Sequence, residues 1–283
     1  MTLHAQAVSF AYGRHEVLRG LHCELAAGAI TAIVGANASG KSTLLRAMAR
    51  LIEPQSGSVL LDGTPIGKLP TREVARRVGF LPQAPIAPEG LNVGDLVARG
   101  RYPHQRLGRA QSAHDRERIE WALAATDTAA LRERPLDQLS GGQRQRVWIA
   151  MVLAQDTPVL LLDEPTTYLD LAHQLEVLDL LAELNERDGR TIALVLHDLN
   201  QACRYAHVLV AMRGGEVYAA GPPAEIVDAT LVREVLDLRA DVIDDPVTGA
   251  PLCIPLGRAA RAKHSPARPV VRPLPAVPAT SSS

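Results

Sequence analysis

Aromatic side chains are scarce in this 283-residue chain, at 3%. Its interior must therefore be built from aliphatic groups, and each aromatic position calls for a reason. Lysine is rarer still. Lys41, Lys68 and Lys263 are the only three, and arginine carries the rest of the positive charge. A lysine at a chemically demanding position is then hard to ascribe to chance. Neither sign of charge dominates: the net charge is −1, with no basic stripe, which argues against a nucleic-acid partner. No apolar run approaches the ~18–20 residues needed to span a bilayer. The opening Met1-Thr2-Leu3-His4-Ala5 lacks a basic segment followed by an apolar one, so no secretory signal is expected. Cys23, Cys203 and Cys253 are odd in number and scattered. That suits reduced cytosolic thiols rather than a disulfide framework or a zinc site. The length suffices for one large domain or two small ones.

What is present is phosphate chemistry. The apolar run Ala29-Ile30-Thr31-Ala32-Ile33-Val34 reads as a buried parallel strand. It leads into Gly35-Ala36-Asn37-Ala38-Ser39-Gly40-Lys41-Ser42, a P-loop. Its glycines let successive N–H groups curl around a phosphate, and a helix opens at Ser42 and Thr43 with its N-terminus toward the anion. Lys41 is placed to reach the β and γ phosphates of a nucleotide, and the Ser42 hydroxyl to ligate Mg²⁺. A second Gly-rich turn, Leu139-Ser140-Gly141-Gly142-Gln143, precedes another helix. Its free N–H groups and the Ser140 hydroxyl can bind a phosphate or simply cap that helix. Val159-Leu160-Leu161-Leu162 then ends in Asp163-Glu164. Carboxylates at the C-terminal end of a strand face the ligand crevice: Asp163 to hold Mg²⁺ through water, Glu164 to polarise an attacking water. Each motif occurs once, which suggests an ATPase that pairs two copies head to tail.

Three single residues have both a functional and an ordinary reading. His197 ends the apolar run Ile192–Leu196 and can contact a γ-phosphate and the water, or be a capping or core histidine before the helix-capping Asp198. Gln83, just after Pro82, can sense the γ-phosphate region through Mg²⁺ or water, or be a turn glutamine. Tyr12 can stack on adenine or pack on the sheet.

The coarse pattern gives two or three strands over 3–34 with a turn at 12–15, a helix to about Leu51, and short strands at 59–61 and 78–81. A mainly helical stretch follows to about Ala154, with helices over 93–99 (capped by Asn92), 112–125 and 144–155. Strand and helix then alternate: 159–163, 170–187, 191–196, 198–205 and 207–212. A helical stretch thus interrupts an α/β core. Residues 258–283, rich in Pro, Ala, Arg and Ser, are expected to form a disordered tail.

In this order the motifs resemble the ATP-binding subunits of ABC transporters, over roughly residues 2–257. The aromatic A-loop is Tyr12, Walker A is 35–42, the Q-loop is Gln83, the signature is 139–143, Walker B is 159–164, the D-loop is Leu169-Asp170 and the switch is His197. Ala36 and Ala38 depart from the family's common Pro and Gly. Within the family, Leu96–Gln105, Thr166–Gln174, His197–Tyr205 and Ile243–Pro246 with Pro251-Leu252 resemble iron-siderophore importers of the ferric enterobactin and ferric citrate type. Heme, cobalamin and other metal-chelate importers are near relatives and the alternative reading, and a soluble non-transport ABC ATPase is the remote one.

The resemblance implies an α/β P-loop NTPase fold with a RecA-like core, a small antiparallel β-subdomain and a helical subdomain at about 84–154, within an ATP-binding domain of residues 1–257. It implies ATP and Mg²⁺ as cofactors. Tyr12, Gly35, Asn37, Ser39, Gly40, Lys41, Ser42 and Thr43 would bind ATP, with Ser140 and Gly142 acting in trans. Ser42, Gln83 and Asp163 would hold Mg²⁺, and Glu164, His197, Lys41 and Gln83 would be catalytic. The expected partners are a second copy, a transmembrane permease that meets residues 84–105, and, indirectly, a substrate-binding protein. The expected place is the cytoplasmic face of the membrane.

Overall fold

The apolar runs that lead into the chemical motifs are strands of one six-stranded sheet. A computed structural model describes residues 1–86, 88–105 and 111–258. The sheet holds β3 (Ile30–Gly35), β6 (Val78–Leu81), β7 (Val159–Asp163), β8 (Thr191–Val195), β9 (Val208–Arg213) and β10 (Glu216–Gly221), in the order β10-β9-β3-β8-β7-β6. All neighbours are parallel except β9 and β10. Both faces are covered. Ile30, Ala32, Leu160, Leu162, Ile192 and Leu194 enter one hydrophobic cluster, and Ile33, Val159, Leu161, Ala193 and Val195 enter the other. A strand buried on both faces has no polar alternation, which is why these runs are continuously apolar. Burying each such Leu, Ile or Val contributes roughly 1.5–3 kcal/mol.

A second sheet, antiparallel, holds β1 (Leu3–Tyr12), β2 (His15–Leu25), β4 (Ser56–Leu61) and β5 (Thr64–Pro65) in the order β2-β1-β4-β5. Its inner face shares a cluster with α1 (Lys41–Met48), through Leu3, Leu18, Leu21, Leu44, Leu45 and Met48. Next come α2 (Thr71–Arg77) and then, between the adjacent strands β6 and β7, α3 (Val93–Arg99), α4 (Ala113–Ala125) and α5 (Gly141–Ala154). Their apolar faces join the cluster on the sheet's far side.

The rest is α6 (Leu171–Asp188), α7 (Leu199–Tyr205), α8 (Pro223–Ile226), α9 (Ala229–Leu236) and a hairpin of β11 (Leu238–Asp244) with β12 (Pro251–Arg258). Helix α5 starts at Gly141, three residues before the expected 144. Ser140 and Gln143 form a capping box that satisfies the first orphan N–H groups. Helix α2, α8, α9 and the β11–β12 hairpin go beyond the element pattern read from sequence. Of the tail expected over 258–283, Arg258 closes β12, and 259–283 lie outside the described residues. No helix among the described residues is long and apolar enough to cross a membrane.

One buried charge ties the helices together. Arg101, only 2% exposed, donates from Nε to Asp115 Oδ1 at 2.8 Å and from a terminal nitrogen to the Ala154 carbonyl at 2.9 Å. Gly100 makes this approach possible, since a Cβ there would lie 2.2 Å from the Met151 carbonyl oxygen. Burial pushes the Asp115 carboxyl up, but hydrogen bonds from Arg101 and Ser112 outweigh it and hold the group below its ordinary value. Arg101 was within the segment expected to meet a permease. It faces inward instead, while Ile86 and Tyr102 of the same segment are exposed.

Candidate nucleotide site and its comparisons

The P-loop joins β3 to α1, and its shape follows from close approaches. A Cβ on Gly40 would lie 2.9 Å from Leu18 Cδ2 and 3.0 Å from the Val17 carbonyl oxygen, so β2 passes directly over the loop. Ala38 adopts the left-handed region at φ 63°, which costs a Cβ-bearing residue of order 1–2 kcal/mol. Lys41 is buried and turns back to donate to the Gly35 and Ala36 carbonyls at 2.8 and 3.0 Å. Burial pulls its ammonium below the ordinary lysine value, against the opposing pull of Glu164 and Asp163. The Ser39 hydroxyl is buried with no hydrogen-bond partner among the described residues.

Strands β7 and β8 pair with Asp163 opposite Val195, so both end at the same level. The carboxylates and His197 therefore emerge side by side. The Ser42 hydroxyl donates to Asp163 Oδ1 at 2.8 Å, while Asp163 Oδ2 is buried with no partner among the described residues. Burial, opposed by the Ser42 hydrogen bond, leaves Asp163 above its ordinary pKa. An orphaned carboxylate oxygen beside a hydroxyl is a fitting oxygen donor set for a hard divalent cation. Glu164 lies in the left-handed region at φ 54°, a strain common at functional positions. Its Oε1 is 2.6 Å from His197 Nε2, and its Oε2 accepts from the Thr167 hydroxyl at 3.2 Å.

Asn37–Thr43, Gln83, Glu164, His197, His15 and Val17 line one cleft of about 470 Å³; Gly35 and the buried Asp163 lie behind that lining. Tyr12 is not among the lining residues. It is 49% exposed and sits edge-on against Phe10, with ring centroids 4.9 Å apart. Ser140 and Gly142 are also outside the cleft. Ser140 is exposed, accepting from the Gln143 N–H at 3.2 Å. The signature turn packs on its own chain's Tyr168 and Leu169: Cβ atoms on Gly141 and Gly142 would meet them at 3.5 and 3.4 Å. His15, Val17 and Thr167 are site residues that motif reading passed over. For Thr167 a signal existed, a hydroxyl three residues after Glu164.

The pattern of the family described as ABC transporter matches residues 18–167, a span that includes both the P-loop and the Asp163-Glu164 pair. The chain belongs to the ABC transporter family. It is 53% identical over 253 residues to Probable siderophore transport system ATP-binding protein YusV of Bacillus subtilis (strain 168), covering 89% of this chain and 92% of that one. It is 51% identical over 258 residues to Ferric enterobactin transport ATP-binding protein FepC of Escherichia coli (strain K12), covering 91% and 95%. Its fold matches the dimeric structure of MJ0796, a bacterial ABC transporter cassette, with a TM-score of 0.71 at 29% identity, covering 78% of this chain and 98% of that one. This ABC cassette has the α/β P-loop architecture expected of it.

Proposed function

We propose that this cassette is the ATP-hydrolysing subunit that drives import of ferric siderophores, acting as a homodimer on the cytoplasmic face of a membrane permease. One observation carries the reading. Lys41, Ser42, Glu164, His197 and Gln83 line one cleft, with Asp163 buried behind it on the Ser42 hydroxyl, while the signature Ser140 and Gly142 of the same chain stand outside it. The names of the relatives support the siderophore cargo. A substrate-binding protein would then act with the permease, and residues 1–257 form the ATP-binding domain, with 84–154 as its helical part. The exposed Ile86 and Tyr102 belong to the surface that meets the permease.

Lys41 releases the Gly35 and Ala36 carbonyls to pair with the β and γ phosphates, and the loop N–H groups of Asn37, Ser39, Gly40, Ser42 and Thr43 hold their oxygens. The orphaned Ser39 hydroxyl finds its acceptor there. Ser42, Asp163 and Gln83 are the residues to hold Mg²⁺, which when bound neutralises charge on the phosphates. Glu164 orients the attacking water and takes its proton, while His197 fixes the carboxylate and contacts the γ-phosphate. Tyr12 packs by the adenine. Ser140 and Gly142 of the second copy close over the γ-phosphate, so nucleotide joins the two chains. Rate acceleration here is mostly positioning and charge neutralisation. Closure is a population shift driven by contacts that need the γ-phosphate.

Glu164→Gln tests this. A positioned base is worth about 10²–10⁴-fold, so hydrolysis should collapse while ATP binding and ATP-dependent dimerisation persist. Unchanged turnover rejects Glu164 as the base.

A further inference from the structure

Helix α2 carries charge that the nucleotide cleft does not use. Its basic residues are Arg72, Arg76 and Arg77. The neighbouring acids go to Arg77, which pairs with Asp62 at 3.2 Å and with Glu73 at 3.5 Å. Arg72 and Arg76 have no carboxylate partner among the described residues. Instead both donate from Nε to one acceptor, the Pro103 carbonyl, each at 2.7 Å. Four positions apart, they are neighbours on one face of the helix, and a carbonyl oxygen has two lone pairs with which to take both.

Two guanidinium groups are thus held side by side, with like charge and no acid between them. Both side chains are exposed, and the bonds to Pro103 use Nε alone, leaving the terminal nitrogens to face outward. Guanidinium forks match the oxygens of a phosphate. A pair already fixed on a carbonyl has given up part of the freedom that binding would otherwise cost.

The surroundings select which phosphate. Pro103 follows Tyr102, which is 58% exposed. On the reading proposed above, on which this inference rests, that surface faces the permease and the bilayer around it. Lys68, the one lysine besides Lys41 among the described residues, is exposed four positions before Arg72. Tyrosine suits the depth of lipid headgroups, and lysine and arginine are drawn to anionic lipid.

We propose that Arg72 and Arg76 form a binding site for the phosphate of an anionic phospholipid headgroup, so that the cassette touches the bilayer directly beside its permease.

The test is flotation of the full-length chain with two vesicles, phosphatidylcholine alone and an equal mixture of phosphatidylcholine and phosphatidylglycerol. Wild type should prefer the anionic vesicles. Arg72→Gln/Arg76→Gln should lose about 10- to 30-fold of that affinity, with melting temperature and ATP affinity unchanged. Arg72→Lys/Arg76→Lys keeps the charges without the forks and should restore only part. Full restoration by lysine would reduce the site to unspecific charge and overturn the proposal, as would full retention by the glutamine variant or equal binding of wild type to both vesicles. Displacement from the vesicles by inorganic phosphate at constant ionic strength would make the pair a free-anion site and overturn it too. Binding of wild type to neither vesicle also overturns it, and leaves an acidic surface of the permease as the partner. The importer reading survives each of these failures, since it stands or falls on co-purification of the chain with its permease.

Discussion

The two glycine-rich turns of this cassette are finished to different degrees. In the P-loop Ser39, Gly40 and Lys41 are buried, Gly35, Ala38 and Gly40 hold positive φ, and two side-chain oxygens at the site, Ser39 Oγ and Asp163 Oδ2, have no partner among the described residues. Around Ser140 the local requirements are already met by the capping box with Gln143, and the side chain faces outward. A loop that stores strain and unpaired polar atoms is waiting for a ligand. A turn that is locally satisfied gains from one only when another surface brings it. The contrast teaches that the first turn is a site in itself, whereas the second is a contribution to someone else's.

The sharpest way to break that comparison is Ser140→Asp. Aspartate is as good an N-cap as serine, so a turn that merely caps α5 would lose nothing. A carboxylate facing a partner's γ-phosphate would instead remove a donor and add repulsion. Hydrolysis should fall by about 10²-fold or more, with melting temperature and the ATP affinity of the isolated chain unchanged. Full hydrolysis in a steady-state assay would reduce the signature turn to a helix cap.

Arg101→Ala probes the helices that carry that second turn. Removing one partner of a buried ion pair costs about 3–5 kcal/mol, so chemical denaturation should show a large loss of stability. The pair also sets an acid limit. Asp115 has a lowered pKa in the fold, so its contribution is fully present above the unfolded carboxylate pKa and is lost as pH falls through the folded value. Arg101→Ala should flatten stability in that acid window. Retention of the wild-type pH profile would show that Asp115 owes its lowered pKa to Ser112 alone.

The catalytic carboxylate allows a finer cut. Thr167→Val removes the hydroxyl on Glu164 Oε2 and leaves His197 on Oε1. We expect kcat to fall several-fold with KM for ATP unchanged, and Thr167→Ser to restore it, in line with about 1 kcal/mol for one hydrogen bond. Identical kcat in the valine variant would leave His197 as the sole anchor.

These contrasts also mark what the linear sequence can carry. The P-loop was legible because strand, loop and helix lie in one short window, and β7 because four apolar residues lead into two carboxylates. The 2.6 Å contact of Glu164 with His197 was not, since it depends on β7 and β8 being neighbours in register. Arg101 was taken for surface because a charged residue gives no local sign of burial. Its partner Asp115 lies fourteen positions on and looks like a capping residue, which it also is. Helix α2 was missed because only Val74 of its seven residues is buried and no side chain caps it. Helix α9 did carry a signal, Asp228 as N-cap followed by Leu231, Val232 and Val235 at helical spacing.

The smallest expected effect separates the P-loop's strain from its chemistry. Ala38 pays for its left-handed backbone with a Cβ that glycine lacks. Replacing it with glycine relieves that strain in the fold but loosens the unfolded chain, which returns roughly 0.4–1 kcal/mol to the unfolded state. The strain term is the larger, leaving a net stabilisation of roughly 0–1.6 kcal/mol, visible as a small rise in melting temperature. ATP affinity should hold, because the N–H groups that face the phosphates belong to the backbone and survive the change. A clear loss of stability would mean that Ala38 is held by packing rather than strained by its loop.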